Sequence, residues 1–144
     1  MSFRTKALGI VCAACIATSG YVFSSRSINN LKETHVDLQR LATCALEKTP
    51  VDFVVVDGMR SAEEHAINLK NGFSWIKRSR HQDGMAIDVA AYVDGAITYA
   101  PEPYYGVAGA FYLCSELMDI PIVSGGEWRA KDLMHIELDR KRYP

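Results

Sequence analysis

Three side chains of the 144-residue chain are of types that hold a catalytic metal ion, and a fourth is of the type that moves protons beside one. His81 and Asp88 lie in Ser79-Arg80-His81-Gln82-Asp83-Gly84-Met85-Ala86-Ile87-Asp88, and His135 lies in Asp132-Leu133-Met134-His135-Ile136-Glu137. Imidazole nitrogen and carboxylate oxygen are both good zinc donors, and a chain that turns at Gly84 can bring His81 and Asp88 together. Two His and one Asp leave a fourth tetrahedral position for water, the arrangement of a catalytic rather than a structural zinc site. Zinc in such a site lowers the pKa of its water to about 7. A further carboxylate must then take the proton and pass it to the leaving amine. Asp132, just ahead of His135, is placed for that work, although spacing within a loop does not fix where it points. Arg60, after the Asp57-Gly58 turn, suits a substrate carboxylate or a tetrahedral oxyanion. Taken alone, His81 and Asp88 read more readily as a surface pair than as ligands. His135 and Asp132 make the set hydrolytic.

These groups need elements to position them. Ser24–Asn29 reads as a polar linker, and Asn30 with Glu33 as a capping box. Leu31, Leu38, Leu41, Ala42, Ala45 and Leu46 then recur at helical spacing to about Lys48, and Pro50 stops the helix. The β-branched run from Asp52 to Val56 reads as a buried strand. Ser61 with Glu64 opens a second helix, which ends at Asn71-Gly72. A basic loop (Lys77, Arg78, Arg80) leads to a strand over Met85–Tyr92, a hairpin turn at Asp94-Gly95 and a return over Ala96–Tyr99. Pro101 and Pro103 precede a helix over Tyr105–Asp119 with Val107, Ala110, Phe111, Cys114, Leu117 and Met118 on its inner face. A strand over Ile120–Ser124, a turn at Gly125-Gly126 and a last strand over Leu133–Leu138 complete the chain. The class is α+β, with about three helices packed on a small, mainly antiparallel sheet.

Length allows one compact domain, and a net charge of −1 excludes a nucleic-acid partner. The charge is uneven. Residues 1–27 carry Arg4, Lys6 and Arg26 with no acid, leaving 13 basic and 17 acidic groups in the rest. Arg4 and Lys6 precede an apolar run from Ala7 to Phe23, which reads as an N-terminal apolar signal helix. It is either cleaved near Ala17-Thr18-Ser19 or retained as a weak membrane anchor. The chain thus divides into a signal or signal-anchor segment at 1–27 and a domain at 28–144, exported to the periplasm or tethered to the inner membrane facing it. Cys12 and Cys15 fall in the signal. Cys44 and Cys114 can pair in an oxidising compartment, but their apolar-face positions favour two buried free thiols. His35 and His65 read as exposed or capping. Glu127 reads equally as a neighbour of the metal ligands or as a solvated turn carboxylate. Trp75, Tyr104, Tyr105 and Trp128 suit a groove, though core is the commoner use.

The pattern Ser-x-His-x-x-Gly-x-Ala-x-Asp, followed by Asp-x-x-His near the C-terminus, resembles the VanY-like D-alanyl-D-alanine carboxypeptidases and the phage L-alanyl-D-glutamate endolysins. Val56-Asp57-Gly58-Met59-Arg60-Ser61 resembles the family's Gly-x-Arg-Ser/Thr segment, and Gly126-Glu127-Trp128 its Gly-x-Trp stretch. These matches run in order from about Leu31 to Leu138. The resemblance implies a Hedgehog/DD-peptidase-like fold and one zinc ion on His81, Asp88 and His135. It also implies Asp132 as general base and then acid, Arg60 as a substrate or transition-state contact, and Ser79 as a substrate contact or a turn cap. Many carboxypeptidase relatives have Glu where Asp132 stands, so the resemblance tilts toward an L-alanyl-D-glutamate endopeptidase of phage-type lysis. A D-alanyl-D-alanine carboxypeptidase is the alternative, and a non-catalytic wall-binding module a further one. The implied partner is the peptidoglycan stem peptide, met by a monomer that touches the membrane through its N-terminal segment. That segment departs from many phage relatives and resembles signal-arrest-release anchors. Lys77, Arg78 and Arg80 suit attraction to the anionic wall or simple solvation.

Overall fold

A computed structural model describes residues 18–144. Most of the apolar run, and with it the expected signal helix and Cys12 and Cys15, lies outside the described residues. Among the described residues no helix is long and apolar enough to cross a membrane. The α+β class is as expected, with four α-helices among the described residues rather than about three. They are α1 (Ser25–Leu31), α2 (Val36–Lys48), α3 (Ala62–Lys70) and α4 (Pro101–Met118). The strands are β1 (Phe53–Asp57), β2 (Ala86–Val93), β3 (Ala96–Ile97), β4 (Ile122–Ser124) and β5 (His135–Leu138). The sheet runs β1-β2-β5-β4, with β3 paired to β2 across the Asp94-Gly95 turn, and every pairing is antiparallel.

The expected linker at Ser24–Asn29 is instead helix. Ser24, not Asn30, caps α1 by accepting from the Ser27 N–H, and His35 caps α2 through Nδ1. The break between them follows from tertiary bonds. Asn30 Nδ2 donates to Val55 O at 2.8 Å, and His35 N to Gly84 O at 2.8 Å. These bonds tie the α1–α2 junction to the end of β1 and to the loop carrying His81. Helix α4 starts earlier than expected because Pro101 sits in its first turn, where a proline costs no hydrogen bond.

Strand alternation divides the sheet into two faces. Phe53, Val55, Ile87, Val89, Ala91, Ile136 and Leu138 pack with Leu38, Leu41, Ala42 and Ala45 of α2 and Val107, Ala110 and Phe111 of α4. Asp88, His135 and Glu137 alternate with these core residues along their strands. Cys44 and Cys114, expected to be free thiols, form a disulfide between α2 and α4 with Cα atoms 6.0 Å apart. The apolar faces that suggested two buried thiols face each other, which is what brings the sulfurs together.

Candidate metal and active site

Strand register sets one side of the site. Asp88 on β2 stands directly opposite His135 on β5 and opposite Asp57 at the irregular end of β1. His81 enters from a 3-10 turn over Arg80–Asp83. Ser79 caps that turn, with Oγ accepting from the His81 N–H and its own N–H donating to Gln82 Oε1. Gly84 ends it at φ 67°, a left-handed conformation that glycine adopts without strain.

His81, Asp88 and His135 form a group able to hold a metal ion, with ligand atoms all within 4.8 Å of one another. Asp88 Oδ1 lies 3.3 Å from His81 Nε2 and 3.3 Å from His135 Nδ1. That is longer than a charge-assisted N–H···O bond of about 2.7–2.9 Å. It matches the spacing of roughly 3.3 Å between tetrahedral donors bonded to one ion at about 2.0–2.1 Å. The outer ring nitrogens support the same assignment. His81 Nδ1 lies 2.8 Å from Gly58 O, which can only accept, so Nδ1 carries the proton and Nε2 is left with its lone pair. His135 Nε2 lies 3.0 Å from Glu137 Oε2, so it donates outward and Nδ1 faces Asp88. Outer acceptors that fix tautomer and ring direction in this way accompany most metal-ligating histidines.

Glu137 is the participant that sequence reading missed. It is buried, accepts from His135 through Oε2, and accepts Arg140 Nε at 3.0 Å through Oε1. The available signal was the His135-x-Glu137 spacing, which puts both side chains on one face of a strand. Without metal, Asp88, His135 and Glu137 depart from their ordinary values. Burial opposes charge on Asp88, but hydrogen bonds from both imidazoles outweigh it and hold the carboxyl well below the usual range. Burial likewise opposes charge on His135, and its bonds to Asp88 and Glu137 raise it to about 9. Glu137 is lowered to about 2, where bonds from His135 and Arg140 outweigh burial.

The ligands open onto a cavity of about 310 Å³ whose wall includes Arg60, Ser79, Trp128, Asp132 and Arg140. All the expected site residues therefore meet in one place. Asp132 Oδ1 accepts from the Met134 N–H at 3.2 Å. The Arg60 guanidinium is bound to Asp57 and lies 3.7 Å from Asp88 Oδ2. Trp128 packs against His135 with the rings tilted by 42° and their centroids 4.9 Å apart. Phe73, Trp75 and Ile76 form an exposed apolar wall.

Other expectations resolve differently. Tyr104 is core and Tyr105 is exposed, and neither lines the cavity. His65 is buried rather than exposed, and its Nε2 donates to Ile76 O at 2.9 Å, tying the apolar wall to α3. Arg80 does not belong to a solvated basic loop. It is buried, and donates to Leu138 O and Tyr143 O, binding the C-terminal turn to the His81 loop. Glu127 bonds Tyr112, not a ligand.

The sequence is 34% identical over 127 residues to the L-alanyl-D-glutamate peptidase of Escherichia phage T5, a match covering 85% of this chain and 93% of that one. The fold matches the crystal structure of the Serratia marcescens L-Ala D-Glu endopeptidase ChiX with a TM-score of 0.80 and 35% identity, over 85% of this chain and 92% of that chain. Residues 19–144 match the model of the phage L-alanyl-D-glutamate peptidase family, and the chain belongs to that family.

Proposed function

We propose that this chain is a zinc-dependent peptidoglycan endopeptidase that cuts between L-alanine and D-glutamate in stem peptides, as in phage-type lysis. The observation that carries the reading is the convergence of three donors, two imidazole nitrogens and a carboxylate oxygen, in a cavity whose wall also holds Asp132. Two imidazole nitrogens, each 3.3 Å from a shared carboxylate oxygen, suit zinc, and the relatives' names supply the bond. His81, Asp88 and His135 would hold one zinc ion, which would supply a polarised water and a Lewis acid for the peptide carbonyl. Asp132 takes the proton of the attacking water and returns it to the departing amine of D-glutamate. Its Oδ1 is occupied by the Met134 N–H, which leaves Oδ2 for this transfer. Arg60, fixed by Asp57, presents a preorganised positive charge to the carbonyl oxygen as water adds. Ser79 Oγ accepts from His81 N and keeps its O–H to offer to substrate.

Digestion of purified muropeptides, with products weighed by mass spectrometry, tests the reading. Release of the stem beyond L-alanine is expected. Loss of one terminal alanine from a pentapeptide would instead make the chain a D-alanyl-D-alanine carboxypeptidase. Asp132→Asn should keep zinc and lose turnover by about 10²–10⁴-fold. Undiminished digestion would remove Asp132 from the mechanism, and a parent that binds the wall without cutting it would be a binding module.

The same reading places the enzyme outside the cytoplasm. A disulfide such as Cys44–Cys114 persists in oxidising compartments, which agrees with the basic-then-apolar start of the chain. We draw the boundary of the signal or releasable anchor before Ser19 rather than after Ser27. Ser19 N donates to Glu47 O, and Ser27 is buried with its Oγ accepting from Val55 N. N-terminal sequencing of the periplasmic protein separates cleavage (a shortened chain) from release (an intact one). Cytosolic protein with free thiols would sink the export reading.

A further inference from the structure

We propose that Arg140 recognises a carboxylate of the substrate, making the free carboxylate of the glutamate at the cleaved bond a determinant of specificity. The inference rests on the proposed cleavage between L-alanine and D-glutamate. Glutamate has two carboxyl groups and a linear stem continues through one of them. An anion therefore remains within a few bonds of the scissile nitrogen.

The cavity wall offers two arginines, each gripped along Nε and Nη2 by one carboxylate, and they differ in exposure and in what else stands beside them. The Arg60 side chain is only 11% exposed, is held by Asp57 and has Asp88 3.7 Å away, so it already faces the metal ligands. The Arg140 side chain is 61% exposed. Its Nε lies 3.0 Å from Glu137 Oε1 and its Nη2 3.5 Å from Glu137 Oε2. Nη1 takes no hydrogen-bond acceptor among the described residues. Glu137 thus grips one edge of the guanidinium plane, and the other edge is open at the cavity rim. An arginine already fixed on one carboxylate loses little freedom when it meets a second, and its planar fork suits that geometry. The placement also fits. Glu137 Oε2 accepts from His135, so Arg140 stands just behind a ligand ring, within reach of a group next to the bond being cut.

Two synthetic peptides test this with the full-length, zinc-loaded enzyme. Each carries an L-alanyl-D-glutamyl bond and continues through the glutamate side-chain carboxyl. One keeps the α-carboxylate free and the other carries a carboxamide there. The parent should favour the carboxylate in kcat/KM by about 10- to 100-fold, the usual range for a charge-assisted contact. In Arg140→Gln the ratio should collapse toward one, while both absolute rates fall because Glu137 loses its partner. If Arg140 only steadied Glu137, both rates would fall together with the ratio intact, which would overturn the proposal. A parent that cuts both peptides alike would do the same, as would a ratio abolished by Arg60→Gln but kept in Arg140→Gln. A parent that cuts neither would overturn the cleavage reading itself, and this inference with it.

Discussion

His81 reaches Asp88 from a single 3-10 turn and His135 from within the sheet, and the two rings are secured by different means. On the loop side the acceptor behind the imidazole is a backbone carbonyl, Gly58 O, and the Arg60 N–H donates back to His81 O. Ser79 and Gln82 complete the turn with local capping bonds. On the strand side the acceptor is a side chain, Glu137, itself held by Arg140. A backbone acceptor neither titrates nor changes with side-chain identity. A carboxylate does both. The loop side should therefore respond to steric changes and the strand side to charge and pH.

The largest expected effect breaks the loop side sterically. A Cβ on Gly58 would stand 1.8 Å from Asn30 O and 2.8 Å from its carbonyl carbon. Backbone cannot rotate out of the way as a side-chain tip can. Gly58→Ala must therefore displace either the end of β1 or α1, at the upper end of the roughly 1–3 kcal/mol typical of overpacking, or beyond it. It should also weaken zinc binding, because Gly58 O moves away from His81 Nδ1. Thermal denaturation of zinc-free protein and competition against a chelator would measure both effects. An unperturbed Gly58→Ala protein would mean that the close approach is not a constraint.

Next in size is the strand-side counterpart. Glu137→Gln keeps shape but weakens the acceptor behind His135, and such partners typically contribute about 10–100-fold in metal affinity. The fold should survive, since Glu137 lies outside the apolar core formed by Ile136 and Leu138. Chelator competition gives the number directly. Equal affinity in parent and variant would reduce Glu137 to a surface partner of Arg140.

The loop side was the more legible half in the sequence, for the same reason that it is secured locally. The Ser61–Glu64 capping box and the Asp94-Gly95 hairpin are written in residues a few positions apart, and so is the turn from Ser79 through His81 to Gly84. Each appears where expected. What escaped depends on contacts distant in sequence. Leu31 and Leu38 stay in phase across the α1–α2 break, so periodicity alone reads one helix, and only Val55 O and Gly84 O reveal the interruption. Arg80 looks like one more loop cation until Leu138 O and Tyr143 O are brought beside it. Cys44 and Cys114, 70 residues apart, declare their bond only once α2 and α4 pack. Glu137 sits in a strand where a carboxylate reads as the solvent face; the His135-x-Glu137 spacing puts the two on one face, but it does not say that the face is buried or that the ring donates to the carboxylate.

The smallest expected effect, and the most diagnostic of the contrast, is in pH. In the metal-free protein His135 is raised to about 9 despite its burial, by its bonds to Asp88 and Glu137. Its unfolded value is about 6.5. The stabilisation from protonated His135 is therefore complete below about pH 6.5 and disappears as pH climbs through about 9. Glu137 works in the opposite sense. Its folded value is lowered to about 2, so its contribution is present above about pH 4.5 and fades as pH falls. Metal-free stability should then form a plateau between about pH 4.5 and 6.5 and decline above it, by at most about 1.4 kcal/mol per pH unit. A metal ion competes with the proton for His135 Nδ1, so the zinc-loaded protein should lack the alkaline decline. The Tm gap between loaded and chelated protein should accordingly widen from pH 6.5 to 9, and widen less in Glu137→Gln. The Gly58 carbonyl behind His81 does not titrate and adds nothing to that slope. A gap that stays constant across the range would mean that His135 gives up no proton on binding. The strand side would then be secured no differently from the loop.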